Sequence, residues 1–222
     1  AYAAFNYNFT LFGGDPERVW TGLAAGDDNW STPGNWANNV VPGVNDIAVF
    51  DNTCTNCNSD IDVAVNVKGI QLRTGYSGTI TQLSGQTITT GVKGWSQVAG
   101  TVVGGDSLIN VNLGTAALEG EFNLAGGTFT STSGELKVSY NNLAEGTYSV
   151  FTIDAAATFN HGSGTLTWKL GGTNACDGAT RTFNVEVPSG LSLNHLTTDY
   201  DSSGCMGRDI IVTVGAPAII IS

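Results

Sequence analysis

One short sequence motif recurs along the middle of the chain and constrains the fold more than any other feature. Residues 128–138 line up with residues 158–168, with Thr, Phe, Ser, Gly and Leu at the same five places. Looser copies begin at Thr79 and Thr101, so the four copies start 22, 27 and 30 residues apart. Each copy reads as a strand, a turn of small residues and a second strand. Repeats of this length that cannot bury a hydrophobic face alone are typical of stacked solenoids.

The composition supports an all-β chain. Of the 222 residues only 12% are charged, 30 are glycine, and no window carries the apolar stripe of an amphipathic helix. Short strands separated by glycine turns suit either a right-handed parallel β-helix or a β-sandwich or jelly roll. Asp177-Gly178 is the single hairpin dipeptide of its kind, and this scarcity favours parallel coils.

The two ends of the chain carry apolar strands. Alternation predicts an extended strand within residues 1–14, ahead of a single all-β domain over residues 15–222. Such a strand either forms an edge of its own fold or adds to the sheet of a neighbouring subunit. At the other end, a strand that is apolar on both faces needs cover from two sides or from another chain. The candidate assembly residues are Phe5, Tyr7, Phe9, Leu11, Ile219, Ile220 and Ile221.

Three tryptophans, Trp20, Trp30 and Trp36, stand in a loop rich in Asn, Asp, Gly and Pro. Exposed rings in this setting would stack on sugars. Buried rings would instead plug the open end of a solenoid while their N–H groups bond to loop carbonyls, and we favour this plug. The acidic residues of the loop match no calcium-loop spacing, so turn formation is the better interpretation of Asp27, Asp28 and Asp46.

Residues 19–50 resemble a known type of segment. The pattern is Trp20-x-Gly, Asn29-Trp-Ser, Asn35-Trp, Val41-Pro-Gly and Asp46-x-Ala-Val-Phe. It is similar to the segment that begins β-helical regions in large secreted bacterial surface proteins, including autotransporter-like adhesins and extracellular filament subunits. The resemblance implies a right-handed parallel β-helix whose first coil is capped by the tryptophan-rich loop. It implies no enzymatic activity.

The four cysteines allow several arrangements. Cys54 and Cys57 are three residues apart, whereas Cys176 and Cys205 are 29 apart. A redox pair needs a strand-to-helix context, and a four-cysteine zinc site needs a second close pair. We therefore predict two disulfides, Cys54–Cys57 and Cys176–Cys205. In the chain-entropy model the longer loop would contribute about 3 to 4 kcal/mol.

The remaining features favour a structural function. A net charge of −11 argues against nucleic acid, no apolar run is long enough to span a bilayer, and His161 and His195 belong to no catalytic motif. We predict no enzymatic activity, no metal and no cofactor. The leading hypothesis is an extracellular, cell-surface subunit that polymerises with copies of itself, by β-strand addition or end-to-end stacking, into a pilus-like filament. The alternative is a carbohydrate-binding or adhesin module that contacts glycans through Trp30 and Trp36.

Overall fold

The computed structural model describes residues 14–141, 146–171, 181–201, 210–214 and 219–221. Within these ranges the secondary structure is β, apart from two short 3-10 turns at Pro33–Asn35 and Ala37–Asn39. The strands, in chain order, are β1 (Glu17–Val19), β2 (Ile47–Phe50), β3 (Ser59–Ile61), β4 (Val65–Leu72), β5 (Thr79–Gln82), β6 (Ile88–Gln97), β7 (Thr101–Val103), β8 (Ile109–Asn112), β9 (Phe122–Leu124), β10 (Thr128–Thr130), β11 (Glu135–Asn141), β12 (Gly146–Ile153), β13 (Thr158–Asn160), β14 (Thr165–Gly171), β15 (Arg181–Glu186), β16 (Leu191–Leu193), β17 (His195–Asp201), β18 (Ile210–Val214) and β19 (Ile219–Ile221).

These strands form parallel ladders. The first ladder runs β6-β8-β11-β14-β17, and the second runs β6-β9-β12-β15-β18. The two ladders meet in β6, whose first half pairs with β8 and whose second half pairs with β9. A separate five-stranded sheet, the third ladder, has the order β13-β10-β7-β5-β3. From β7 to β15 the chain therefore visits the third, first and second ladders in the same order in every coil.

The direction of pairing bears on the architecture. Every pair of named strands in the described residues is parallel, including β1 with β2, β2 with β4, and β16 with β19. Antiparallel hairpins, from which a β-sandwich or a jelly roll is built, do not occur among these pairs. Parallel neighbours need a long crossover connection, and from β2 onwards each connection carries one or more strands of the other ladders.

The repeated motif corresponds to the register in which the strands of the third ladder pair. Thr79 lies opposite Thr101, Thr101 opposite Thr128, and Thr128 opposite Thr158 on successive strands of the third ladder. The shared leucines also pair, because Leu136 lies opposite Leu166 in the first ladder. The unequal repeat intervals are therefore absorbed in the connections, while the strands stay aligned.

Alternation along the strands places one apolar face of each ladder in the core. In β11, Leu136, Val138 and Tyr140 are buried, and the residues between them are half-buried on the opposite face. In the second ladder Phe122 stacks on Phe151 with ring centroids 4.8 Å apart. Because side chains stacked coil upon coil exclude water, each buried large apolar side chain contributes about 1.5 to 3 kcal/mol.

Two buried glutamines tie successive coils together at the corners. The Gln82 Nε2 donates to the carbonyls of Gln86 at 2.6 Å and Ser107 at 3.2 Å, while its Oε1 accepts from the Gly105 N–H at 2.9 Å. The Gln97 Nε2 donates to the carbonyl oxygens of Gly100 and Thr128. These bonds satisfy backbone groups where the chain turns away from a ladder, as buried polar groups require.

Glycine is required where β6 passes from the first ladder to the second. Gly94 has φ +63°, and a Cβ at this position would lie 2.2 Å from the Glu121 carbonyl oxygen. A side chain would therefore clash with the backbone of the next coil. β6 continues through this bend because glycine adopts the backbone conformation that the bend requires.

Several of the residues named from the sequence lie outside the described ranges or in the last of them. Phe5, Tyr7, Phe9 and Leu11, and likewise Cys176 and Cys205, lie outside them. Residues 219–221 form β19 as predicted, and β19 pairs in parallel with β16. Whether the isoleucine side chains are covered from two sides stays a prediction.

Core stacking is tested by Phe122→Ala. Phe122 is fully buried against two other rings, so we expect the free energy of unfolding to fall by about 3 to 5 kcal/mol. Chemical denaturation followed by circular dichroism measures this. Val103→Ala, which shortens an exposed side chain, is the matched control and should change the free energy of unfolding by less than about 1 kcal/mol. Equal losses for the two variants would contradict the stacked core.

An exposed carboxylate joins two successive turns and makes stability depend on pH. Asp106 accepts from the Gly85 N–H at 2.8 Å, the Ser84 hydroxyl at 2.5 Å and the Ser107 hydroxyl at 2.9 Å. These bonds, that from Gly85 most, lower the Asp106 pKa from 3.8 to about 2. Because the folded pKa is the lower one, this contribution is complete above the unfolded pKa and is lost as the pH falls through the folded pKa.

We therefore expect Asp106→Asn to be less stable than the parent protein at pH 6. The difference should shrink between about pH 4 and pH 2 and vanish below that range. Urea unfolding across the pH series measures it, with Asp154→Asn, on an exposed turn, as the control. A difference between Asp106→Asn and the parent that does not change with pH would show that the carboxylate charge has no part in this link.

Candidate functional site: a sealed end and an open end

The tryptophan-rich loop closes one end of the stack as a single aromatic cluster, which we call the aromatic cap (Trp20, Trp30, Trp36, Phe50 and Tyr76). The ring centroids of Trp20 and Trp36 are 5.1 Å apart, and those of Trp30 and Trp36 are 4.7 Å apart, both edge to face. Phe50 of β2 lies at the centre, 5.4 to 5.9 Å from the other four rings. Such edge-to-face contacts add to the gain from burying large apolar area.

The three tryptophans are not available to a sugar. Their exposed fractions are 0%, 1% and 1%, so no ring presents a face to solvent. The Trp20 Nε1 donates to the Asn56 carbonyl at 2.9 Å, and the Trp36 Nε1 donates to the Trp30 carbonyl at 2.8 Å. With all three rings buried in the cap, the arrangement is the packing that a plug requires, and a glycan contact at Trp20, Trp30 and Trp36 gains no support from it and stays a prediction.

Asn35 organises the loop that carries the tryptophans. It is fully buried, its amide donates to the carbonyls of Asp27 at 2.8 Å and Asn29 at 3.1 Å, and its Oδ1 accepts from the Ala24 N–H at 3.0 Å. Its backbone carbonyl accepts from Thr21 N–H at 2.7 Å. The Asn35 side chain thus joins the parts of the loop at Ala24, Asp27 and Asn29, and its amide nitrogen and oxygen both have hydrogen-bond partners.

The loop continues the ladders by one more layer. β1 pairs with β2 in parallel, and Asn29 forms a parallel bridge with Asp60 of β3. Around this bridge the Trp30 N–H donates to the Asp60 carbonyl at 2.8 Å, and the Asp60 N–H donates to the Asp28 carbonyl at 2.7 Å. The backbone groups of the third ladder therefore have partners at this end.

A disulfide supports the cap from the next coil. Cys54 and Cys57 are bonded, with Cα atoms 5.1 Å apart, as predicted. The Tyr76 hydroxyl donates to the Cys57 carbonyl at 2.5 Å, and burial raises the Tyr76 pKa. The short disulfide loop thus holds the two carbonyls, of Asn56 and Cys57, that receive the Trp20 and Tyr76 donors.

The acidic residues of the loop form turns, as predicted. The Asp27 carboxylate accepts from the Thr32 hydroxyl at 2.7 Å and the Asn29 N–H at 2.8 Å, which lowers its pKa. The Asp28 carboxylate accepts from the Asn56 amide. Asp46 pairs with Arg18 at 3.1 Å and accepts from the Gly43 N–H at 2.8 Å. In the part of the chain that the structure describes, no group of three or more His, Cys, Asp or Glu side chains could hold a metal ion.

Ion pairs fix the first described residues to this end. Asp15 pairs with Lys68 of β4 and, at 3.1 Å, with Lys93 of β6. The bond from Lys68, followed by that from Lys93, lowers the Asp15 pKa, and Asp15 in turn raises the Lys93 pKa. Lys93 also pairs with Glu119 at 3.1 Å. The point at which residues 1–13 join the fold is therefore anchored between β4 and β6.

At the other end of the stack, β17 is the last strand of the first ladder in the described residues. It pairs only with β14 among the described strands. Leu196 continues a row whose earlier members, Leu136 and Leu166, are buried, yet Leu196 is only half-buried. Thr198 follows the buried Trp168 in its row and is exposed. The apolar rows therefore reach β17 without a covering layer in the described residues.

Among the described residues, the best-formed cleft is lined largely by polar and basic side chains, and the two histidines lie on a turn and on β17. The best-formed cleft, about 240 Å³, lies on the first ladder between Asn110, Lys137, Asn141 and Lys169, and no carboxylate or imidazole lines it. The His161 Nδ1 accepts from the Ser163 N–H at 2.9 Å within its own turn. His195 is exposed on β17. Within the described ranges, no helix has the length and apolarity that crossing a membrane would take.

Searches with the whole chain found no matching family model, no matching curated protein and no matching solved structure. The geometry of the two ends is therefore the basis for any functional conclusion.

Sequence reasoning found the tryptophans and the Cys54–Cys57 pair but missed Asn35, Tyr76 and Asp15. Asn35 had a usable signal, because an asparagine between Gly34 and Trp36 in a turn-rich loop is a candidate to bond the backbone. Tyr76 and Asp15 had none, because their partners lie 19 and 53 residues away in the sequence.

Asn35→Ala tests the organisation of the cap. Three bonds of a fully buried side chain are lost. The Asp27 carbonyl and the Ala24 N–H lose the partner that Asn35 provides, and the Asn29 carbonyl keeps only the Thr32 N–H at 3.2 Å. We expect the free energy of unfolding to fall by about 2 to 4 kcal/mol and tryptophan fluorescence to become accessible to iodide. Asn29→Ala, which removes a half-buried side chain of the same loop, is the control. If iodide quenches the tryptophan fluorescence of Asn35→Ala no more than that of the parent protein, the role assigned to Asn35 is contradicted.

Proposed function

We propose that this protein is a non-enzymatic extracellular structural protein, the subunit of a surface filament that assembles end to end. The observation that carries the proposal is the difference between the two ends. One end is closed by the aromatic cap, whereas β17 leaves apolar rows incompletely covered. A stack with one finished end and one unfinished end is suited to receive another copy at the unfinished end.

We further propose that the three ladders are the faces of a right-handed parallel β-helix. The constant order in which the chain visits them supports this architecture, as does the alignment of the repeated threonines. In a solenoid each coil contacts only its neighbours, so a terminal coil needs either a cap or another copy. At one end the aromatic cap covers the terminal coil.

The assembly would be heterologous and open. A contact between unlike ends of two copies continues indefinitely unless the rotation between subunits closes a ring. The apolar alternation of residues 5–11 supplies a strand for this contact, and Ile219, Ile220 and Ile221 offer a second surface. Backbone hydrogen bonds would provide affinity, and the alternate side chains would provide register.

An extracellular location is part of the proposal. The Cys54–Cys57 disulfide supports an oxidising compartment, where such bonds persist. The low content of charged residues and the net charge of −11 accord with a protein that does not bind nucleic acid. The adhesin alternative gains nothing from the tryptophans, because all three rings are buried.

Removal of residues 1–12 tests the proposal. We expect the truncated protein to keep its circular dichroism spectrum and to remain monomeric, while the full chain forms filaments visible by negative-stain electron microscopy. The reason is that the removed strand contacts the neighbouring copy and not its own core. Unfolding of the truncated protein would contradict the proposal, because the strand would then belong to its own fold.

Matched substitutions test whether assembly depends on the apolar side chains of residues 5–11 or only on the presence of this segment. Tyr7→Asn with Phe9→Asn removes two apolar members of the alternation, and Asn6→Ser with Asn8→Ser changes the residues between them. We expect the first pair to abolish filaments and the second pair to leave them unchanged. Equal effects of the two pairs would count against a strand that packs one face on a neighbour.

A further inference from the structure

We propose that the open edge of β17 is the acceptor for residues 5–11 of a neighbouring copy. This inference rests on the proposed function and specifies its contact. β17 spans His195–Asp201 and pairs on one side with β14 throughout its length. Its other side has no partner strand among the described residues, and an edge strand of this kind can pair with an added strand.

The incomplete cover of β17 identifies the surface that an added strand would close. Leu166 and Trp168 of β14 are 4% and 3% exposed. Their register partners on β17 are Leu196, which is half-buried, and Thr198, which is exposed. One further strand with apolar residues at alternate positions would continue these rows and bury Leu196 as its predecessors are buried. The apolar area that the added strand removes from water would stabilise the contact between the two copies.

The length and pattern of residues 5–11 fit this edge. Both the segment and β17 contain seven residues. Phe5, Tyr7, Phe9 and Leu11 occupy alternate positions, as a strand packed on one face requires. The other two terminal strands are shorter, since β18 has five residues and β19 has three. They could not pair with the whole alternating segment.

Charge also favours this partner. The opposite face of β17 presents Asp199, which pairs with Lys169 at 3.1 Å, and Asp201 ends the strand. Residues 5–11 contain no charged side chain. On a chain with a net charge of −11, a neutral segment can approach this edge without the repulsion that an acidic strand would meet.

Distance excludes the same chain as the donor. Asp15 is anchored to Lys68 and Lys93, beside β4 and β6. From β6 to a strand added beyond β17 is five strand spacings in the order of the first ladder, roughly 24 Å. Residues 12–14 join Leu11 to Asp15 and span at most about 15 Å when fully extended. Residues 5–11 can therefore reach β17 only on another copy.

Photocrosslinking tests the contact in the full-length protein. p-Benzoylphenylalanine is introduced at Tyr7, and copies carrying it are mixed with ¹⁵N-labelled copies without it before assembly. We expect crosslinked peptides that join residue 7 of the unlabelled chain to residues 195–201 of the labelled chain. Crosslinks confined to one chain, or directed mainly to β18 or β19, would overturn the assignment.

Two neighbouring threonines of the edge provide matched variants. Thr198 lies in the row that faces the core, whereas Thr197 lies on the opposite face, and both are exposed in a single copy. Thr198→Glu should therefore fold but should place a charge under the added strand. We expect it to raise the critical concentration for filament formation at least about tenfold, and Thr197→Glu to change it less than about twofold.

The outcomes separate this inference from the function on which it rests. Filaments that form equally well with Thr198→Glu and Thr197→Glu would overturn the β17 contact and leave filament formation standing. A full-length protein that forms no filaments would overturn both. Loss of filaments in folded Thr198→Glu, together with crosslinks to residues 195–201, supports both.

Discussion

The structure depends on parallel hydrogen bonding between strands that are one coil apart. No strand of the described residues pairs with its immediate successor through a tight hairpin, so each coil obtains its backbone partners from the coils before and after it. This dependence explains why the repeated threonines must align, since a slip by one residue would turn every apolar side chain outwards. It also means that a terminal coil is incomplete until something covers it.

The two ends meet this requirement differently. At one end the 27-residue connection between β1 and β2, residues 20–46, carries the three tryptophans, which Asn35 and the Cys54–Cys57 disulfide hold in place over the core. At the other end β17 presents a half-buried leucine and an exposed threonine in rows that are otherwise buried. Among the described residues the core is fully covered at one end only, and a stack with unlike ends has the direction that the proposed end-to-end assembly needs.

The sequence predicted the parts of the fold that depend on local pattern. Alternation and glycine turns indicated an all-β chain of short strands, which the structure has, and the alignment of residues 128–138 with residues 158–168 predicted the register of Thr128 with Thr158. The sequence could not predict which residues meet across coils. Asp15 with Lys93, and Tyr76 with Cys57, are distant pairs set by the stacking itself. The role of the tryptophans was decided by burial, which a loop sequence does not reveal.

Disulfide trapping tests the central claim, the register between coils, most directly. Thr101 and Thr128 are neighbours on adjacent strands, whereas Thr79 lies one layer further from Thr128. Adjacent parallel strands are about 4.8 Å apart, within disulfide reach, and strands two layers apart are not. The account predicts that Thr101→Cys with Thr128→Cys forms a bond under mild oxidation, seen by mass spectrometry of an unreduced digest, and that Thr79→Cys with Thr128→Cys does not. A bond in the second pair, or none in the first, would contradict it.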